Sequence, residues 1–185
     1  MAVNFKLAGS INNMFDTLSF LFLFIPLRSM KLIIVLLIFS ITVKAKGIDD
    51  CSFDQFYSKK IESSKGLLIV NFWATWCKSC VAELPVFEKM NAEMDSSVKV
   101  ILVNLDFNSQ YKKSVPIFIH KSKIESEVVH INDTDPNSWI DKIEKKWSGA
   151  IPATIIYFDA KKVFFKEGEI SYEELKTETN KIKNQ

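Results

Sequence analysis

Residues Leu67 to Trp73 read LLIVNFW, an uninterrupted apolar run rich in β-branched and aromatic side chains, and just beyond it stand Cys77 and Cys80. The run has the length and composition of a buried strand. From Cys77 onward the pattern changes. Val81, Leu84, Phe87, Met90 and Met94 recur at three- and four-residue spacing, with Glu, Lys and Asn between them, which predicts an amphipathic helix. The two thiols therefore sit at a strand-to-helix junction, and that junction constrains the fold more than any other feature of the chain.

Residues i and i+3 at a helix start share one face with their Cα atoms about 5–6 Å apart, a separation that a disulfide accepts. Free N–H groups and the helix dipole stabilise an anion there. Cys77 is accordingly expected to lose its proton more readily than a free thiol, whose pKa is about 8.5. Cys80, one turn in and on the buried side, suits the resolving role, attacking the sulfur of Cys77 in a mixed disulfide. Other chemistries compete for the same pair. A zinc site needs about four ligands, and the remaining candidates are Cys51, His120 and His130, the histidines on different predicted elements. A copper(I) carrier can use two thiolates alone and stays open. Peroxidase chemistry calls for Thr or Ser three residues before the nucleophile and Pro four residues earlier, where this chain has Ala74 and Val70. A purely structural staple closing so short a loop adds little stability.

The rest of the chain alternates strands and helices. Ser52 to Glu62 reads as a helical lead-in, and Ser64-Lys65-Gly66 as a turn. Val98 to Asp106 and Glu127 to Ile131 are further strands, with helices at Ser109 to His120 and Asn137 to Trp147. Pro152 to Asp159 and Lys161 to Gly168 form a hairpin across Asp159-Ala160. A last helix, Ser171 to Lys183, opens with capping-box spacing between Ser171 and Glu174. This order implies an α/β fold with a mixed sheet and helices on both faces. Trp139 and Trp147 read as packing residues, and neither histidine is given a catalytic role.

The first 45 residues differ in character. They hold four of the 24 basic residues (Lys6, Arg28, Lys31 and Lys44) but one of the 22 acidic ones (Asp16), so the remainder is nearly neutral and lacks the basic excess of a nucleic-acid surface. The apolar runs Leu18 to Leu27 and Leu32 to Val43 are each shorter than the roughly 20 residues of a spanning helix. Residues 30–45 read as a secretory signal peptide, from Met30-Lys31 to a cut after Ala45, with residues 1–29 an over-extended start. An uncleaved membrane anchor is the other reading. Either way the domain, residues 46–185, is expected in the periplasm or cell envelope, where disulfide chemistry is permitted. Cys51 is a single thiol near the mature N-terminus. Its neighbours Ile48-Asp49-Asp50 do not suit lipid attachment.

The segments VNFWATWCKSCVAELP and, far downstream, GAIPATIIYFD resemble the thioredoxin superfamily and, within it, the exported TlpA-like thiol:disulfide oxidoreductases. The resemblance implies a thioredoxin fold with a helix–strand insertion before the Pro152 strand, placed between Asn104 and Trp147. It implies a cis Ile151–Pro152 bond facing Cys77, with Trp76, Ile151 and Pro152 meeting the substrate and Pro152 keeping metals from the thiols. No cofactor is implied beyond a redox-active Cys77–Cys80 disulfide. The implied partners are protein disulfides and a membrane electron donor, and the implied direction is reduction. Thioredoxin carries a buried Asp in the strand before its motif, where this chain has Asn71. Glu83, three residues after Cys80 and matching the Cys-x-x-Cys-x-x-Glu-x-Pro pattern through Pro85, is the expected proton acceptor. The alternative function is a non-catalytic thioredoxin-fold module such as the copper(I) carrier.

Overall fold

Strand β2 (Leu67–Trp73) is buried along its whole length, which a strand achieves only with neighbours on both edges and cover on both faces. β3 (Val98–Asn104) pairs with it in parallel and β5 (Ala153–Phe158) antiparallel. β4 (Glu127–Ile131) and β1 (Asp49–Cys51) extend the parallel side, and β6 (Lys161–Glu167) extends the antiparallel side. The resulting mixed sheet has the order β1-β4-β3-β2-β5-β6. The computed structural model describes residues 47–94 and 97–184. The expectations of an over-extended start, signal peptide or membrane anchor fall on residues 1–45, outside the described residues. Among the described residues no helix is long and apolar enough to cross a membrane.

Side-chain alternation along β2 divides the core in two. Leu67, Ile69 and Trp73 face helix α2 (Lys78–Glu93), helix α3 (Asn108–Ser122) and helix α5 (Tyr172–Lys183), where they meet Leu84, Phe87, Met90, Val115 and Leu175. Leu68, Val70 and Phe72 face the opposite layer, built from α1 (Phe53–Phe56), the π-helical turn Tyr57–Glu62 and the segment around Trp139 and Trp147. Helices thus cover both faces, and the sheet carries the thioredoxin fold with a helix and a strand, α3 and β4, between Asn104 and Trp147.

Two local expectations change. Residues 137–147 do not form one helix: Pro136–Ser138 is a 3₁₀ turn, Ile140–Ile143 a single α turn (α4), and Glu144 is extended. Trp139 lies flat on Phe53, ring centroids 5.0 Å apart, while Trp147 packs against Phe72 at 4.8 Å. The aromatic contacts with other elements, not a helical stripe, set this backbone. Ser171 does cap α5 through the Glu174 N–H, but the Glu174 carboxylate pairs with Lys166 at 2.5 Å rather than reaching back. A complete capping box occurs instead at Ser52 and Gln55. The hairpin link has Asp159 and Ala160 both at positive φ, the backbone form that matches strand twist in a two-residue turn. Asp159 also accepts the Gly66 N–H, and a Cβ at Gly66 would lie 2.8 Å from the Ser97 carbonyl, so that turn requires glycine.

Candidate active site

β2 delivers the chain through Ala74-Thr75-Trp76 to Cys77, which stands at the N-cap of α2. Its sulfur accepts the Cys80 backbone N–H at 3.2 Å, the place a capping Ser or Asp oxygen would take. Cys77 and Cys80 are disulfide-bonded with Cα atoms 5.2 Å apart. Cys77 keeps 8% of its surface exposed and Cys80 none, so an incoming group reaches the Cys77 sulfur alone. The Ile151–Pro152 bond is cis, and the Ile151 carbonyl oxygen lies 3.7 Å from the Cys77 sulfur. The Ser79 hydroxyl stands 3.5 Å from the same sulfur, and Trp76 is 55% exposed beside it.

Behind the disulfide, Glu83 is almost wholly buried. Its Oε1 accepts from the Asn71 amide at 2.7 Å and its Oε2 accepts the Ile170 N–H at 2.9 Å. Burial pushes its carboxyl up to about 7, against the lowering pull of those two hydrogen bonds; Glu169 adds to the rise and Lys166 opposes it. The strand register explains how Asn71 reaches this point, for it lies opposite Thr154, and its amide also donates to the Thr154 hydroxyl at 3.2 Å. The Asn71 Oδ1 meets no hydrogen-bond partner among the described residues. Pro85 lies inside α2 without interrupting it.

On the other side of the loop a second buried carboxylate, Asp106, accepts the Thr75 N–H at 2.8 Å, the Thr75 hydroxyl and the Asn104 amide at 2.7 Å. Its backbone carbonyl accepts from His130 Nε2 at 2.9 Å. His130 is buried, stacked on Tyr111, and its Nδ1 faces Asp50 at 3.1 Å, whereas His120 is exposed on α3. Cys51 is half-buried in edge strand β1, and burial, then Asp49, pushes its thiol up. Among the described residues no group of three or more His, Cys, Asp or Glu side chains converges as metal ligands would.

The fold thus brings Trp76, Cys77, Cys80, Glu83, Ile151 and Pro152 around one disulfide. Thr75, Asp106, Thr154 and Ile170 escaped the sequence reading. A usable signal for Asp106 was its place just past the carboxyl end of the parallel strand next to β2, where α/β sheets gather functional groups. Ile170, a backbone donor from a loop, left none.

The thioredoxin family profile matches residues 50–120. Thioredoxin of Listeria monocytogenes is 31% identical over 108 residues, covering 55% of this chain and 97% of that one. Among solved structures, StoA from Bacillus subtilis aligns with a TM-score of 0.52 and 29% identity over 63% of this chain and 85% of its own. A thioredoxin-related protein from Neisseria meningitidis serogroup B shares the fold at a TM-score of 0.58 and 18% identity, covering 69% of this chain and 93% of its own. The chain belongs to the thioredoxin superfamily. It is a thiol:disulfide oxidoreductase, and its Cys77–Cys80 disulfide is the pair that such chemistry needs.

Proposed function

We propose that the protein is an exported, TlpA-like oxidoreductase that reduces disulfides of other proteins, with electrons supplied by a membrane donor. The observation that carries this reading is the buried Glu83, one helical turn beyond Cys80 and tied to Asn71 and Ile170, in the Cys-x-x-Cys-x-x-Glu-x-Pro arrangement. In the reduced protein the Cys77 thiolate, favoured at the helix N-terminus, attacks one sulfur of a substrate disulfide. A Cys77–substrate disulfide forms, and the other substrate sulfur leaves as thiolate. Cys80 then loses its proton to Glu83, directly or through a water, and attacks the Cys77 sulfur. The second substrate thiolate departs and the Cys77–Cys80 disulfide closes. Substrate has gained two electrons and the enzyme has lost two. Trp76, Ile151 and Pro152 hold the substrate at the mouth, and the leader, residues 30–45, supplies export.

Equilibration with glutathione buffers tests the direction. A potential near the roughly −270 mV of thioredoxin supports reduction, and one near the roughly −120 mV of DsbA overturns it. Cys80→Ala should stall mixed disulfides on Cys77 with envelope proteins; recovery of the same adducts with Cys77→Ala instead would refute the assigned nucleophile. Mature protein beginning at Lys46 supports export with cleavage.

A further inference from the structure

Two of the exposed large apolar side chains among the described residues, Trp76 and Phe107, stack on each other with centroids 6.2 Å apart, immediately beside the reactive disulfide. Phe107 is 64% exposed at the N-cap of α3 and makes no capping hydrogen bond through its side chain. Scattered apolar residues on a surface need no explanation, but an adjoining aromatic pair is the composition of a contact surface. Phe107 also forms one wall of an open cleft of about 400 Å³, whose other walls include Leu105, Ile131, Pro136 and Trp139. The cleft lies past the carboxyl ends of parallel β3 and β4, the same end of the sheet to which β2 delivers Cys77.

We infer that Phe107 and this cleft form a side-chain subsite for the polypeptide whose disulfide is exchanged, taking an apolar residue that flanks the substrate cysteine. The inference rests on the reading that proteins are the substrates. Continuity with the reaction centre selects this occupant. A substrate sulfur must come to the exposed side of Cys77; the Ile151 carbonyl stands 3.7 Å from that sulfur, and Trp76, the residue next to Cys77, stacks on Phe107. An apolar occupant fits because Leu105, Phe107, Ile131, Pro136 and Trp139 line the cleft, and the two carboxylates there already accept hydrogen bonds within the chain. Asp106 is held by Thr75 and Asn104, and Asp133 accepts the Phe53 N–H at 2.6 Å. The subsite makes Phe107 a specificity determinant that takes no part in the electron transfer itself.

The experiment uses the purified full chain, reduced beforehand, with two cystine-bridged peptides that differ only beside the cysteines, Leu in one and Ser in the other. Chromatography reads the reduced peptide, and hydroxyethyl disulfide serves as a substrate with no flanking residues. The wild type should favour the Leu peptide about 5- to 10-fold in kcat/KM, expressed in KM, equivalent to about 1–1.4 kcal/mol. Phe107→Ser should bring the preference below about 2-fold, Phe107→Leu should keep most of it, and Thr134→Trp, which narrows the cleft from another wall, should reduce it with Phe107 intact. Hydroxyethyl disulfide should react alike with all four proteins. An equal wild-type rate on both peptides, or a preference that survives Phe107→Ser, overturns the subsite. So does equal slowing of hydroxyethyl disulfide by Phe107→Ser, which would make Phe107 a support of the loop. Reduction of hydroxyethyl disulfide with neither peptide touched is a different result: it sinks the protein-substrate reading, and the subsite with it.

Discussion

Two buried carboxylates flank the active-site loop, and they are used in opposite ways. Asp106 gathers three donors, two from Thr75 and one from Asn104, so most of its acceptor sites hold the loop that carries Trp76 and Cys77. Glu83 receives one donor on each oxygen, which leaves acceptor capacity for a proton, one helical turn from Cys80. Burial is similar, 3% exposed for Asp106 and 4% for Glu83. The number of donors, not depth, distinguishes the two carboxylates.

Removing the clamp should have the largest effect. Asp106→Ala leaves the Thr75 N–H and the Asn104 amide without their acceptor in a buried place, which should cost roughly 3–4 kcal/mol in chemical denaturation, with Asp106→Asn losing about half as much. Equal, small losses for both variants would show that the loop does not depend on this carboxylate.

Glu83 should shape pH dependence instead. Its folded carboxyl is raised from 4.5 to about 7, so the folded state holds a proton in that window that the unfolded state has released. Stability should therefore decline as pH rises from about 4.5 to 7, by roughly 3 kcal/mol at most, and level off above. Glu83→Gln should flatten this decline and also slow resolution of the mixed disulfide around neutral pH. Unchanged pH profiles of both stability and exchange would remove Glu83 from the proton path. The Gln variant should still fold, since an Asn71 amide rotated by half a turn offers its unpartnered Oδ1 to the new NH₂ group.

A finer separation comes from the donors. Asn71→Ala deletes a hydrogen bond that lowers the Glu83 carboxyl, so the midpoint of the exchange-rate profile should move upward by about one unit or less. A downward move would contradict the assigned donor. Thr75→Val keeps the backbone bond to Asp106 and loses the hydroxyl, for a cost of about 1 kcal/mol and no change in the pH profile. A displaced profile in this variant would show that the two carboxylates are coupled after all.

Sequence legibility followed the range of the forces involved. β2 and β4 have the predicted bounds: β2 is a fully buried, continuous apolar run that needs no partner to be recognised, and β4 keeps the β-branched residues Val128, Val129 and Ile131 in a short stretch. β1 was invisible: three residues, Asp49, Asp50 and Cys51, become a strand only by pairing with Val129, His130 and Ile131. The strand predicted through Asp106 stops at Asn104, because Asp106 turns inward to take the Thr75 donors. In the site, Cys77, Cys80, Glu83 and the Ile151–Pro152 pair could be named from spacing and family pattern, and Asp106 offered only its place past the end of β3, whereas Thr75 and Phe107 carry no local signature of their place.

Local chemistry along the chain therefore determined the strand-to-helix junction, the paired thiols at a helix start and the glutamate one turn beyond them. Tertiary structure alone decided what that glutamate can do. Its environment is made by Asn71 from β2, and by Ile170, 87 residues away in sequence. Desolvation and donor count belong to the assembled interior, and no run of residues encodes them by itself.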